Sequence, residues 1–125
     1  MKLNILITGG CGYIGTLLTE KLLKMNHSVI VIDNQLFGNF LKKKRNLIIY
    51  KKNILEINQI KIKKKIHVIF HLSSIANDPM ADLNPNLSWE TSSLGTMELI
   101  KFSKIKKVKR IIYASSGSVY GIKKE

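Results

Sequence analysis

The chain has 125 residues, of which 45% are hydrophobic, and it carries a formal net charge of +13. This length allows a single domain, residues 1–125, with a real core, and the apolar content excludes an intrinsically disordered chain. No apolar run approaches the ~20 residues that span a bilayer. The single cysteine gives no disulfide framework, which favours a cytoplasmic protein.

The positive charge comes mainly from short lysine-rich runs at residues 42–45, 63–65 and 104–110. No aromatic residues alternate with these runs as a stacking platform for bases requires, and no helix-turn-helix or zinc-finger spacing is present. We therefore expect a solvated basic surface, with neither nucleic acid nor a membrane as partner. The three histidines are far apart in the predicted layout, so no metal site is expected.

The chain opens with a predicted strand at residues 2–8, a tight turn, and an amphipathic helix at residues 13–25. Apolar residues in this helix recur at i, i+3 and i+4, which predicts one buried face. That face consists of Ile14, Leu17, Leu18, Leu22 and Met25.

The turn between this strand and helix contains glycines at three-residue intervals, Gly9, Gly12 and Gly15. Gly9 allows the chain to leave the strand through backbone angles that other residues avoid. Gly12 allows a diphosphate to approach the backbone, and Gly15 allows the helix to pack closely on the strand. The free N–H groups at the helix N-terminus favour an anion, so the turn is a candidate diphosphate site.

The second predicted strand, residues 28–33, ends in Asp33 about 20 residues after the glycines. A carboxylate there can accept hydrogen bonds from the hydroxyls of an adenosine ribose. It would also repel the 2′-phosphate of NADP, which favours NAD. The alternative is that Asp33 and Asn34 only form a turn at the end of the strand.

The rest of the chain repeats the alternation of apolar strands and connecting segments. We predict a loop at 34–46, strands at 47–51, 67–72 and 110–114, a partly helical segment at 55–64, and a polar stretch at 73–86. Pro85 suits the first turn of a long helix that ends near residue 105, with Asn84 as its N-cap. Its predicted core residues are Trp89, Leu94, Met97 and Ile100.

Uniformly apolar strands that alternate with helices predict an α/β fold with a parallel sheet covered on both faces. Right-handed crossovers then give a Rossmann-type strand order of 3-2-1-4-5. The sequence shows no internal repeat and no linker to a second domain.

Residues 8–15 resemble the T-G-G-x-G-Y-I-G signature of the extended short-chain dehydrogenases, the NAD-dependent epimerase/dehydratase family that acts on nucleotide sugars. Four further motifs follow in the family's order, at residues 33–34, 71–74, 92–96 and 115–121. The resemblance covers essentially the whole chain. It implies NAD as cofactor and a nucleotide sugar as substrate.

The resemblance also implies a set of cofactor-binding residues. They are Gly9, Gly12, Tyr13, Ile14, Gly15, Asp33, Asn34, Asn53, Ile54, Leu72, Ser73, Ser74 and Ser92. Four positions depart from the family pattern. Ser92 replaces an asparagine, Ser73 and Ser74 replace alanines, and Asn53 replaces an acid that accepts from the adenine amino group. Asn53 keeps an acceptor oxygen for that contact.

In the family a Ser or Thr, a Tyr and a Lys form the catalytic set, and motif matching assigns the first of these to Ser116, with Ser118 as the alternative. A plain alternative is that Ser116 only ends a strand. Tyr120 and Lys124 have Y-x-x-x-K spacing, but Tyr120 matches a loop tyrosine of the family and is not expected to be the base. The true pair is expected after residue 125.

The resemblance therefore predicts the NAD-binding N-terminal portion of a nucleotide-sugar epimerase or dehydratase, inactive alone, with the last strands and the substrate lobe missing. Two alternatives are a non-catalytic dinucleotide-binding module that pairs with another subunit, and a truncated product with an exposed sheet edge. The helix at residues 85–105 is a possible homodimer interface. Residues that select the sugar, or distinguish epimerisation from dehydration or reduction, are expected outside these 125 residues.

Overall fold

The computed structural model describes residues 1–75 and 82–115 of the chain. Five parallel strands form one sheet, and their order β3-β2-β1-β4-β5 confirms the predicted topology. The strands are β1 (Asn4–Thr8), β2 (Ser28–Asp33), β3 (Leu47–Lys51), β4 (Val68–His71) and β5 (Arg110–Tyr113).

The helical segments also follow the predicted layout. They are α1 (Tyr13–Lys24), a 3₁₀ segment (Ile54–Gln59), α2 (Pro85–Trp89), a π segment (Glu90–Leu94) and α3 (Gly95–Ile105). The Asn84 side chain accepts a hydrogen bond from the Leu87 N–H at 3.0 Å, which confirms its predicted N-cap role. The π segment, which the sequence did not predict, interrupts the expected long helix.

Each face of the sheet has its own core, because successive side chains of a strand point to opposite faces. In β1, Ile5 and Ile7 belong to the core on the α1 side, and Leu6 belongs to the core on the other side. The second core contains Leu99 and Phe102 of α3 together with apolar residues of the 3₁₀ segment. The sheet is therefore covered on both faces, as predicted.

The predicted buried face of α1 is correct at Leu22, which is buried, and at Leu18, which packs half-buried against the same core, but it is wrong at the other three positions. Ile14, Leu17 and Met25 are 65%, 55% and 57% exposed, and the buried residues of the helix are Gly15, Thr19 and Leu22. A Cβ at position 15 would collide with the backbone of the glycine turn. The start of α1 therefore lies close against the glycine turn, where Ile14 and Leu17 are exposed, and the middle of the helix contacts the core through Leu18 and Leu22.

The predicted core face of the later helix is also wrong. Trp89, Met97 and Ile100 are 61%, 57% and 43% exposed, whereas Leu99 and Phe102 are buried. Leu94 is half-buried. The π segment places one extra residue in its turn, which rotates the following helix by about 100° relative to uninterrupted α-helical spacing. Within α3 itself the buried residues are Gly95, Leu99, Phe102 and Ser103, so Met97 and Ile100 lie on the exposed side of that helix.

Candidate functional site

A cleft of about 1020 Å³ lies at the carboxyl ends of the strands. Its position is the point where the strand order reverses between β1 and β4, which is where open α/β sheets bind ligands. All thirteen residues predicted to bind the cofactor line this cleft. Further lining residues that sequence reasoning missed include Phe37, Lys52, Thr91 and Tyr113.

Glycine occurs at the three positions of the turn for different structural reasons. Gly9 has φ +72°, and a Cβ there would lie 2.8 Å from the Leu72 backbone. A Cβ at Gly15 would overlap the turn itself, whereas one at Gly12 would meet only the Gly9 carbonyl oxygen, at 3.5 Å. The fold requires glycine at positions 9 and 15. At position 12 the protein leaves open space beside the cleft.

The N-terminus of α1 faces this open space. Its N-cap is Gly12, no side chain caps the helix, and the first turn contains no acidic residue. The first N–H groups of a helix have no acceptor within the helix, and its dipole makes that end positive. The N–H groups of Tyr13, Ile14 and Gly15 are therefore suited to hold a negatively charged group.

The Asp33 carboxylate holds the glycine turn against the end of β2. Its Oδ2 accepts a hydrogen bond from the Cys11 N–H at 2.9 Å, and its Oδ1 accepts one from the Gln35 N–H at 2.6 Å. A carboxylate oxygen can accept more than one hydrogen bond. Asp33 can therefore support the turn and still accept from a ligand in the cleft that it lines.

Asn53 has a structural contact that sequence reasoning missed. Its Oδ1 accepts from the Leu55 N–H at 3.0 Å, while Glu56 Oε2 accepts from the Asn53 N–H at 3.0 Å. This reciprocal capping box begins the 3₁₀ segment. The hydrogen bond from the Asn53 N–H, aided by Lys52, also lowers the pKa of Glu56. The spacing of Asn53 and Glu56 was the available signal.

The other side of the cleft is supported by the His71 network, which comprises Thr8, His71, Thr96 and Ser92. Thr8 Oγ1 lies 2.6 Å from His71 Nδ1, and His71 Nε2 lies 2.8 Å from Thr96 Oγ1. The Thr96 hydroxyl donates to the Ser92 carbonyl at 2.6 Å. Burial lowers the pKa of His71 to about 4. His71 is 1% exposed, so it is a packed histidine at the end of β4.

Cys11 lies in the glycine turn but is 4% exposed. Burial and the neighbouring Asp33 carboxylate raise the pKa of its thiol to about 11. The thiol is therefore protonated at neutral pH and is a poor nucleophile. Cys11 therefore acts as a small packed side chain in the core beside the turn.

The predicted catalytic residue Ser116 lies outside the described residues, as do Ser118, Tyr120 and Lys124. The preceding residue, Ser115, lines the cleft. Among residues 1–75 and 82–115, no three His, Cys, Asp or Glu side chains form a group that could hold a metal ion. No helix in the same part of the chain is long and apolar enough to cross a membrane.

Comparison with known proteins supplies a family. A family model described as the NAD dependent epimerase/dehydratase family matches residues 5–125. UDP-glucuronic acid decarboxylase 1 of Danio rerio is 35% identical over 123 residues, which cover 94% of this chain and 28% of that protein.

Two solved structures share the fold. The UDP-glucose 4-epimerase of Thermotoga maritima, solved with UDP-glucose, superposes with a TM-score of 0.87 at 30% identity, covering 98% of this chain and 41% of that one. The Bordetella bronchiseptica enzyme WbmH, solved in complex with NAD+, gives a TM-score of 0.83 at 27% identity, covering 98% and 42%. This chain therefore spans well under half the length of these relatives.

Proposed function

Because the chain belongs to the NAD dependent epimerase/dehydratase family, we propose that it binds NAD in the cleft and forms part of a nucleotide-sugar epimerase or dehydratase. The observation that carries the proposal is the open space at Gly12, directly in front of the uncapped N-terminus of α1. The protein itself has room for a side chain there. A diphosphate needs that room, together with the N–H groups behind it.

The adenosine half of NAD belongs on the β2 side of the turn. The remaining acceptor capacity of Asp33 suits the two ribose hydroxyls, while its negative charge opposes a 2′-phosphate. Asn34, Asn53 and Ile54 line the same side of the cleft. We therefore expect NAD to bind more tightly than NADP.

The nicotinamide half then lies on the β4 and β5 side, against Leu72, Ser73, Ser74 and Ser92. When bound, NAD accepts a hydride from the sugar and later returns it. Ser116 is proposed to hydrogen-bond the oxygen on the sugar carbon that is oxidised and then reduced. We do not assign the Tyr-x-x-x-Lys pair, which the family uses for proton transfer, to any of these 125 residues.

We therefore propose that the 125 residues alone bind NAD without turning over a nucleotide sugar. A second candidate, a non-catalytic dinucleotide-binding module that pairs with another subunit, is supported by the exposure of Ile111, Ile112 and Tyr113 on β5. Incubating the purified chain with NAD and UDP-glucose, and analysing the sugar by chromatography, tests the inactivity. Formation of UDP-galactose or of a dehydrated sugar would refute it.

The binding proposal is tested by calorimetric titration with NAD and NADP. We expect saturable NAD binding by the wild-type chain, weaker binding of NADP, and a Kd for NAD about tenfold higher in Gly12→Ala, because the added methyl occupies the diphosphate site. The melting temperature of Gly12→Ala should stay within a few degrees of wild type. Gly15→Ala is the matched control for misfolding, since its Cβ collides with the turn. No binding at millimolar NAD would reject the proposal.

The homodimer is also proposed, through the α3 surface that contains Met97 and Ile100. These side chains are 57% and 43% exposed, on a helix whose opposite face is core. Sedimentation velocity of Met97→Lys tests the interface, with Leu17→Lys on α1 as a matched control of similar exposure, 55%. Loss of a dimer in the first variant alone supports the proposal. A wild-type chain that sediments as a monomer at 100 µM, on the order of ordinary weak-dimer concentrations, contradicts it.

A further inference from the structure

His71 lies beneath the cleft, and its own side chain does not line it. It nevertheless connects several of the cleft walls. Thr8 precedes Gly9 of the glycine turn, and Leu72 follows His71 directly. The His71 ring stacks on the ring of Tyr113, with centroids 5.4 Å apart, and Thr96 links it to Ser92. Gly9, Leu72, Tyr113 and Ser92 all line the cleft.

The hydrogen-bond directions in this network follow from one carbonyl. The Ser92 carbonyl can only accept, so the Thr96 hydroxyl uses its single proton there. His71 Nε2 must then donate to Thr96 Oγ1, which leaves His71 Nδ1 to accept from the Thr8 hydroxyl. All the polar groups of the network are satisfied by a neutral imidazole that carries its proton on Nε2.

The Ser92 end of the network lies within the π segment. In this segment the Gly95 N–H donates to the Glu90 carbonyl five residues earlier, in place of the usual four. A Cβ at Gly95 would lie 2.5 Å from Ile54 Cγ2, so the wide turn is pressed closely against the 3₁₀ segment. Reverting to α-helical spacing would rotate Ser92 by about 100°. In the observed arrangement the Ser92 carbonyl accepts from the Thr96 hydroxyl, and Ser92 lines the cleft.

We propose that His71, acting through Thr96, is a positioning residue that holds the π segment in the arrangement that presents Ser92 to the nicotinamide half of the dinucleotide. This inference rests on the proposed function. It assigns the network to one half of the ligand, because the adenosine half is held by the glycine turn and Asp33 on the other side of β1. The network should therefore affect NAD more than a ligand that lacks the nicotinamide riboside.

The test uses the full 125-residue chain with two probes, NAD and ADP. Thr96→Val keeps the side-chain shape and removes the hydroxyl that joins His71 to Ser92. We expect the Kd for NAD to rise about tenfold in this variant while the Kd for ADP changes less than about twofold, since only one side of the cleft has lost a buried hydrogen bond. Thr96→Ser restores the hydroxyl and should return the Kd for NAD to near the wild-type value.

Ser103→Ala provides the control for a general effect on α3. Ser103 is 6% exposed, and its hydroxyl donates to the Ile100 carbonyl at 2.7 Å within the same helix, far along it from Ser92. Its Kd for NAD should match that of wild type. If the Kd for NAD is unchanged in Thr96→Val, or if NAD and ADP lose affinity equally, the inference is overturned. The proposed function is not affected by either result. If the wild-type chain binds neither ADP nor NAD, both the proposed function and this inference are overturned.

Discussion

The centre of the sheet and its β5 edge are made of similar residues that are buried very differently. In β1, Leu6 and Ile7 are completely buried, whereas Ile111 and Ile112 of β5 are 38% and 41% exposed. β1 pairs with a strand on each side and has a core on each face. In the described part of the chain β5 pairs only with β4. Apolar sequence alone thus identifies a strand, while its neighbours determine its burial.

The same division separates the two sides of the cleft. On the central side the walls are held by a single side chain, the Asp33 carboxylate, which accepts from two backbone N–H groups. On the β4 and β5 side they are held by side chains, through His71 and Thr96. Backbone N–H groups are supplied by every residue except proline, so the contact on the central side depends on the identity of Asp33 alone. The side-chain network depends on the identity of each member, so this side of the cleft is the more sensitive to single substitutions.

The largest test of the comparison replaces one apolar residue in each region. Leu6→Ala should lower the free energy of unfolding by about 3 kcal/mol, because it leaves a cavity in a closed core. Ile111→Ala should lower it by only about 1 kcal/mol, since its side chain is already partly in water. Urea denaturation of both variants measures the difference. Equal losses would show that the β5 edge is as well packed in solution as the centre.

Low pH should destabilise the protein at His71, which lies in β4, the strand between β1 and β5. In the unfolded chain an imidazole binds a proton near pH 6.5, whereas burial lowers its pKa to about 4 in the folded protein. Between pH 6.5 and 4 the unfolded state therefore binds more protons than the folded state. The contribution of His71 to the free energy of unfolding is complete above pH 6.5 and is lost as the pH falls toward 4.

From pH 6.5 to 5 this single group should remove about 2 kcal/mol from the free energy of unfolding. The glutamine in His71→Gln cannot titrate. The free energy of unfolding of this variant should be lower than that of wild type but should fall less steeply across the same pH interval. Urea midpoints measured at both pH values for the two proteins give the difference. Parallel slopes in wild type and variant would show that the His71 environment admits water.

The sequence was sufficient for the sheet but not for the helix faces. Apolar runs that end in Thr8, Asp33 and His71 identified the strands, and the glycine spacing located the cleft. Helical periodicity failed at Leu17 and Met97, for two physical reasons. Gly15 lets the start of α1 pack closely on the glycine turn, and α3 packs on the 3₁₀ segment through the face that contains Leu99 and Phe102. Both depend on tertiary contacts that no single segment encodes.

The His71 network could not be predicted for the same reason. Its first contact, between Thr8 and His71, joins residues 63 positions apart, and its second joins residues 25 positions apart. The place of His71 at the end of a predicted buried strand indicates a packed histidine, but it identifies no partner for the ring. Strand register places Thr8 directly opposite His71, and that register is known only once the strands are paired.

The well-packed centre contains one flaw, the hydroxyl of Thr19. This residue of α1 is completely buried, and its Oγ1 has no hydrogen-bond partner among the described residues. Thr19→Val replaces the hydroxyl with a methyl group of similar size, so we expect a gain of about 1 kcal/mol in the free energy of unfolding. Thr16→Val is the control, because the Thr16 hydroxyl donates to the Cys11 carbonyl at 3.3 Å. A loss of stability in Thr19→Val would reveal a partner, such as a buried water.

The smallest expected effect concerns the C-terminal ends of α1 and α3. Both α1 and α3 end in a Schellman motif, in which a residue with positive φ follows the C-cap: Asn26 with φ 65° and Lys107 with φ 53°. Asparagine tolerates this conformation, whereas lysine is strained in it. Lys107→Gly should therefore raise the free energy of unfolding by about 0.5–1 kcal/mol, and Asn26→Gly by less. Thermal melts of the two variants measure this order. The reverse order would mean that the turn entering β5 relaxes in solution, and that the edge of the sheet is looser than its hydrogen bonds indicate.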